Sequence, residues 1–415
     1  MQELQSSVQE NNLPFIVTSG AASSSTEVGD PAALQPGSNF GIRLSYGDIS
    51  SGAVGTTTVV CNGQAVALGH PAFEQGSTTM GANAADAITI VEGGPEDPFV
   101  SFKLANIAER VGVITEDRLA GVVAQLGAKL TTIPVKSSVT DLTSKRERIG
   151  LTEVVGSERF SPIASEHLAA NIERVTERIG PGGALVSWTV NGVTKEGSPF
   201  QLKRTNRYMS REDIAVAPAK EFQSQLETLF GNDFTEVTFT GAEVDATVTK
   251  DLMERTIKRV EVSVAGGSFT DIGATQTAPL QAKPGDQITL RVTLSGRDIP
   301  DETVELAVTA PASAQGEGTL TIAGAPQDDS EFQGAASLFT VPSGQKTGAT
   351  SFAELVAKLE TAPRGDEIRA ELTFGTATDP DTALEPASKD ATLTDQVVRG
   401  SRALKIEVAS PQSTQ

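Results

Sequence analysis

The stretch that decides the fold of the N-terminal half of this chain is GDISSGAVGTTTVVCNGQAVALGHP, residues 47–71. Residues 54–61 within it are rich in β-branched side chains, which favour strands. Asn62-Gly63 is typical of a type I′ turn, because both residues tolerate positive φ angles. The pattern therefore predicts a β-hairpin whose second strand, residues 64–68, ends at Gly69-His70-Pro71.

His70, one of only two histidines in the chain, stands at the end of this predicted hairpin. The preceding glycine permits close approach of backbone or substrate, and the following proline ends the hydrogen-bonded ladder. An imidazole displayed in this way can act as a general base near neutral pH. A histidine that only packs at the end of a strand fits the same residues, so both interpretations stay open at this point.

Three blocks of sequence carry a resemblance to a known family. They are VGTTTVVCNGQAVALGHP at residues 54–71, SFKL at residues 101–104 and GVITEDRLAG at residues 112–121. In this order they are similar to the SpoIVB-type serine peptidase domain, which is named after a sporulation signalling protease. The similarity covers roughly residues 36–135. It implies that His70 is the general base of a serine peptidase and that the substrate or partner is a polypeptide.

A serine peptidase also needs a nucleophilic hydroxyl, a group that orients the base and an oxyanion hole. Asp48, Asp86 and Asp117 are the candidates for the orienting carboxylate. Asp117 belongs to the family-like Asp-Arg block, where pairing with Arg118 or capping of a turn would explain it equally well. The sequence does not choose among these alternatives.

The nucleophile is the part of the resemblance that this sequence does not match. Members of the family carry it in a Gly-Met-Ser-Gly-Ser-Pro block, which the chain lacks. Gly197-Ser198-Pro199 is the nearest partial match to this block, but no Gly-Met-Ser precedes it. We therefore do not expect Ser198 to be the nucleophile. We expect the chain to be the histidine-bearing and C-terminal portion of such a protein, with its serine segment lost, cleaved away or never encoded, and incomplete as a peptidase.

A second hypothesis comes from a different class of protein. The peptidase-like domain would then be a degenerate, non-catalytic scaffold in an extracellular or envelope protein that binds a protein or a glycan, because a fold does not guarantee an activity. The family resemblance implies an extracellular or envelope location in either case. Residues 1–5, MQELQ, are polar and acidic, so no signal peptide is expected there.

Composition excludes several classes of partner. The formal net charge of −20 disfavours nucleic acid, because phosphates are repelled. No apolar run approaches the ~20 residues that span a bilayer. Two distant histidines and one cysteine do not make a metal site, and no nucleotide-binding motif follows a strand, so no cofactor or metal is expected. Cys61 is predicted to pack within its strand. Nothing in the sequence indicates an oligomeric state.

The remaining pattern predicts a mainly β protein with a few helices. Helices are expected at 163–179, 217–230 and 352–359, the last with a capping box from Ser351 to Glu354. His167 is predicted to be a solvated residue of the first helix, and Trp188 a core anchor. Residues 72–87 show few signals for regular structure. Four segments are expected: an N-terminal segment and linker at 1–35, a small peptidase-like β-barrel or sandwich at 36–140, an α+β segment at 141–255 and an immunoglobulin-like β-sandwich at 256–415.

Overall fold

The computed structural model describes residues 29–91, 102–252, 254–273, 276–324, 348–374 and 387–409. Within them the chain is mainly β with three α-helices, which confirms the predicted fold class. Most of the expected N-terminal segment, residues 1–28, lies outside the described residues. None of the helices in the described ranges is long and apolar enough to cross a membrane.

A closed barrel of six strands forms the first layer. Its strands are Asn39–Arg43 (β1), Gly52–Cys61 (β3), Gln64–Ala67 (β4), Gly76–Val91 (β5), Phe102–Arg118 (β6) and Gly121–Leu126 (β7). They pair in the order β1-β3-β4-β7-β6-β5. The hairpin predicted from residues 54–68 is β3–β4, and its turn residues Asn62 and Gly63 have φ angles of 51° and 74°. These are the positive values that a type I′ turn requires.

Two expectations for the barrel are wrong. Residues 72–87 contain most of a strand, because β5 begins at Gly76. Its small residues let neighbouring side chains approach: a Cβ at Gly81 would collide with the hydroxyl of Tyr46. Cys61 is exposed and not packed, because it is the last residue of β3 and lies at the solvent-facing turn.

A six-stranded mixed sheet forms the second layer. Its strands are Ser45–Gly47 (β2), Ile133–Asp141 (β8), Arg146–Val154 (β9), Gly182–Thr194 (β10), Pro199–Ser210 (β11) and Val237–Thr249 (β12). They pair in the order β11-β10-β12-β8-β9-β2. Strand β2 follows β1 directly, so the chain leaves the barrel, adds one short strand to this sheet and returns as β3. Barrel and sheet share one hydrophobic core.

Two helices, Phe160–Thr176 (α1) and Val216–Phe230 (α2), pack against one face of the second sheet. The predicted periodicity locates both, although α1 begins three residues earlier than expected. Trp188 on β10 is 2% exposed and packs on Phe222 of α2, which confirms it as a core anchor. The alternating burial along β10 leaves the other face of the sheet accessible to solvent.

The C-terminal part is a β-sandwich of two sheets around a second core. The strands are Glu254–Val264 (β13), Thr270–Asp271 (β14), Leu280–Ala282 (β15), Gln287–Gly296 (β16), Ile299–Thr309 (β17), Gly316–Gly324 (β18), Glu367–Phe374 (β19), Ser388–Leu393 (β20), Val397–Arg399 (β21) and Ser401–Val408 (β22). One sheet has the order β14-β13-β16-β17 with β21 beside β13, and the other the order β15-β22-β18-β19-β20.

A third helix, Phe352–Glu360 (α3), joins the sandwich to the second sheet. It begins at Ser351, whose side chain accepts the Glu354 amide, as the capping box predicts. Phe352 makes an edge-to-face contact with Phe200 of β11 at 5.1 Å between ring centroids. The Glu360 carboxylate accepts the Lys203 amide at 2.9 Å. Apolar and polar contacts together fix the sandwich against β11.

Candidate functional site

His70 leaves the barrel directly after β4. Leu68 and Gly69 have φ angles of 73° and 79°, so two successive residues in the left-handed region turn the chain out of the ladder. A leucine adopts such an angle only where the surrounding structure enforces it. The Leu68 amide still donates to the Thr56 carbonyl at 3.0 Å, and His70 beyond it is exposed. The end of the hairpin thus leaves the imidazole exposed, which agrees with the first of the two sequence-based interpretations.

The contact made by the His70 ring determines which of its nitrogens carries the proton. Nδ1 lies 2.7 Å from the carbonyl oxygen of Pro71. Because a carbonyl oxygen can only accept, Nδ1–H must be the donor. In the neutral ring the lone pair is then on Nε2, the nitrogen that takes the serine proton in serine peptidases. The backbone thus holds the tautomer that a general base needs.

Asp117, at the C-terminal end of β6, is 1% exposed and hydrogen-bonds to the backbone of the loop that follows His70. Its carboxylate accepts the amides of Ala72 and Phe73, both at 2.8 Å, and that of Gln75 at 3.3 Å. No hydrogen bond within the described residues joins this carboxylate to the imidazole. Asp117 therefore caps the turn, which is one of its sequence-based alternatives, and the Pro71 carbonyl is the acceptor that orients the ring.

A polar groove of about 520 Å³ opens next to this loop. It lies between the barrel and the connection from β9 to α1, and its lining residues are Gln75, Ser77, Thr78, Thr79, Gly156 and Glu158. Their side chains offer hydroxyl, amide and carboxylate groups. Such groups can pair with the N–H and C=O groups of an extended polypeptide or with other polar ligands.

Arg159 ties the two walls of the groove together. Its side chain is 2% exposed, forms an ion pair with Glu158 and donates to the Gln75 side chain and to the Thr79 carbonyl. Burial lowers the pKa of Arg159, while the charges of Glu158 and Asp117 oppose that shift. A buried cation with several acceptors is costly to disturb, so the groove is held in one shape.

The other sequence-based candidates lie away from His70. Ser198 is exposed in the turn between β10 and β11, where its carbonyl accepts the Thr194 amide at 2.9 Å. Asp86 is exposed on β5, and Asp48 pairs with Arg148 of the second sheet at 2.6 Å. In the described residues none of these side chains hydrogen-bonds to the His70 ring. Those residues also hold no group of three or more His, Cys, Asp and Glu side chains arranged for a metal ion.

The prediction for the second histidine is wrong, because His167 is 0% exposed. It lies on the face of α1 that packs against β8 and β9. Its Nε2 is 2.9 Å from Oγ of Ser137, and its Nδ1 is 2.8 Å from Oγ1 of Thr152. The Asn171 amide nitrogen lies 3.3 Å from Nδ1. We call Ser137, Thr152, His167 and Asn171 the His167 cluster.

Two hydroxyls face the two nitrogens of the His167 ring. Thr152 Oγ1 faces Nδ1 and Ser137 Oγ faces Nε2, and because a hydroxyl can donate or accept, this geometry accommodates the ring proton on either nitrogen. The Asn171 amide nitrogen donates to the His167 carbonyl at 2.8 Å and lies nearly equidistant from the two ring nitrogens, at 3.3 and 3.5 Å. These contacts hold α1 to the sheet.

Charged side chains surround the His167 cluster at the surface. Asp48 Oδ1 accepts from Arg148 at 2.6 Å and lies 3.3 Å from Arg174. Gly150 lies beneath them, and a Cβ there would come within 2.5–2.7 Å of Ser137 Oγ, Asn171 Oδ1 and Asp48 Oδ2. Only a glycine fits between these oxygens. Burial, chiefly, lowers the pKa of His167 to about 4, so the ring is neutral near pH 7.

Sequence reasoning missed this cluster, although one signal pointed to it. His167 follows Ile163 by four positions, which places both on one face of α1, and Ile163 is fully buried. Its strand partners are too distant in sequence to be paired with it by spacing.

The chain was compared with known protein families, curated proteins and solved structures. No protein-family model, no curated protein and no solved structure matches the chain.

Proposed function

We propose that this chain supplies the histidine-bearing part of a SpoIVB-type serine endopeptidase, with His70 as the general base. One observation carries the proposal: Nδ1 of His70 donates to the Pro71 carbonyl, which leaves an exposed Nε2 able to accept a proton. The sequence blocks that resemble the family and the closed six-stranded barrel that bears the histidine support it. An extracellular or envelope location belongs to the same proposal.

In the proposed step, a serine O–H gives its proton to Nε2 as the oxygen attacks a peptide carbonyl carbon. The imidazolium that forms keeps its Nδ1–H on the Pro71 carbonyl. A neutral carbonyl stabilises an imidazolium less than a carboxylate does, so we expect slower chemistry than in a peptidase with a His–Asp pair. The polar groove beside Gln75 is the place for the polypeptide.

Within the described residues, no hydroxyl hydrogen-bonds to the His70 ring, so the nucleophilic serine is not identified there. By the family pattern it belongs to a Gly-Met-Ser-Gly-Ser-Pro block, which the 415 residues lack. The test therefore uses the protein as its native host produces it, treated with a fluorophosphonate probe. We expect the wild type to be labelled, His70→Ala to lose labelling, and Ser198→Ala to retain it as the matched control.

The second candidate function is a non-catalytic scaffold that binds a protein or a glycan through the same groove. The observation that favours it is the groove lining, which offers polar groups on both walls without a hydroxyl hydrogen-bonded to His70 in the described residues. Absence of labelling in the wild type, or labelling that survives His70→Ala, would overturn the peptidase proposal and leave the scaffold.

A further inference from the structure

The His167 cluster connects the barrel to the second sheet. Thr152 Oγ1, which contacts Nδ1 of His167, also accepts the Ile49 amide at 3.1 Å. Asp48, next to Ile49, accepts the Leu151 amide at 3.0 Å. Residues 48–51 are the return of the chain from β2 in the second sheet to β3 in the barrel. One buried imidazole thus holds together α1, β9 and the segment that attaches the barrel.

The surroundings of this imidazole favour its neutral form. A second proton would make both ring nitrogens donors, so that the Thr152 and Ser137 hydroxyls would both have to accept, and the Asn171 NH2 group, itself a donor, lies only 3.3 and 3.5 Å from the two nitrogens. Thr152 would have to turn its hydroxyl away while still accepting from Ile49. The protonated ring would also be a charge buried at 0% exposure.

The charges that face the ring do not offset this cost. The charged groups that act on it are Asp48 from the β2–β3 segment, Arg148 from β9 and Arg174 from α1. The carboxylate is already paired with both guanidinium groups. Strand β8 faces the ring with the neutral Ser137. Within the described residues, neither β12 nor α2 contributes a charge that acts on it.

We propose that the His167 cluster is an acid-sensitive latch: protonation of His167 releases residues 48–51 and loosens the barrel from the second sheet while the C-terminal sandwich stays folded. Release of the latch should also affect the groove. Two of the residues that line it, Gly156 and Glu158, belong to the segment of chain that connects Thr152 on β9 with His167 on α1. This proposal does not involve His70 and stands apart from the proposed peptidase function. The low pKa of the buried ring agrees with it.

Amide hydrogen exchange of the full chain at pH 7 and pH 4.5 tests the proposal. With protection factors corrected for intrinsic exchange, we expect the Ile49 and Leu151 amides to lose about 60-fold in protection between pH 7 and pH 4.5, the ratio for a pKa near 4 in the closed state and 6.5 in the open state. Leu290 and Ile322, buried in the sandwich core, should keep theirs. Unchanged protection at Ile49, or equal loss in the sandwich, would overturn the proposal.

Two further measurements separate the latch from general acid damage. His167→Gln keeps a neutral, hydrogen-bonding side chain, so the pH dependence at Ile49 should disappear in this variant; an identical dependence would contradict the latch. NMR of the wild type does not rely on the variant folding, and the chain has only two histidine signals to assign. The His167 ring should become protonated over the pH range in which Ile49 loses protection. Loss of protection while that ring stays neutral would also overturn the proposal.

Discussion

His70 and His167 differ in what their ring nitrogens face. Nδ1 of His70 lies 2.7 Å from the Pro71 carbonyl and must donate to it, whereas the nitrogens of His167 lie 2.8 Å and 2.9 Å from the Thr152 and Ser137 hydroxyls. The difference separates an exposed imidazole whose Nε2 can accept a proton from a buried one whose two nitrogens both have partners. The surroundings of each ring can be tested separately.

Diethyl pyrocarbonate should modify His70 and spare His167. The reagent attacks an unprotonated, accessible ring nitrogen, and His70 is exposed while His167 is fully buried. Mass spectrometry after proteolysis at pH 7 should therefore find one modified histidine. The variant His70→Ala is the control and should leave no histidine modified. Equal modification of both rings in the folded protein would contradict the burial of His167.

Replacement of Asp117 by asparagine should loosen the loop after His70. An amide cannot accept three backbone N–H groups, so at least one of those of Ala72, Phe73 and Gln75 loses its partner. Because these amides are only partly buried, the loss of one partner should cost about 1 kcal/mol, the low end of the range for a buried donor. Hydrogen exchange of these three amides should rise accordingly. Asp86→Asn, on an exposed position of β5, is the matched control and should change little. Unaltered exchange in Asp117→Asn would refute the capping role.

Replacement of Gly150 by alanine should destabilise the second sheet by about 1–3 kcal/mol. The new Cβ would crowd oxygens of Ser137, Asn171 and Asp48 at 2.5–2.7 Å. The unfolding transition can be followed by fluorescence of the single tryptophan, Trp188, in the core of this sheet. Gly183→Ala on β10 is the control, because its Cβ would meet only ordinary contacts at 3.4 Å and beyond. Equal stability of the two variants would contradict the packing described for Gly150.

The stability of the second sheet should depend on pH through His167. The folded-state pKa is about 4 and the ordinary value is 6.5. Between these values the unfolded chain binds a proton that the folded chain does not, so stability rises with pH from about 4 to 6.5 and is flat above. The full contribution is about 3 kcal/mol. Denaturation followed by Trp188 fluorescence should show this slope in the wild type and not in His167→Gln. The same slope in both proteins would assign it to other groups.

Local signals made the hairpin that precedes His70 predictable. Asn62-Gly63 predicts the hairpin turn by itself. The pattern of the flanking strands predicts where the second strand ends, and therefore that His70 follows it. The helices follow from periodicity, and α3 also from its Ser351 cap. Residues 76–86 of β5 are not predicted as a strand because most of them are small residues with low strand propensity, which the crowded wall of a closed barrel requires.

The sequence leaves the role of Asp117 open among alternatives and does not indicate the His167 cluster, for a physical reason. The partners of Asp117 are backbone amides 42 to 45 positions away, and backbone groups leave no trace in the choice of side chains. Ser137 lies 30 positions before His167, and ordinary strand alternation accounts for it as well as a hydrogen bond does. Only the paired strands β8 and β9 under α1 bring these groups together.

Nε2 of His70 is the nitrogen that is free to accept a proton. A long-range ¹H–¹⁵N correlation spectrum of the full chain, recorded at a pH where both rings are neutral, reads the tautomer of each histidine directly, and His70→Ala assigns the two patterns. We expect Nδ1–H for His70. A spectrum that shows Nε2–H for His70 would contradict it, because the general base would then have no free nitrogen facing a serine.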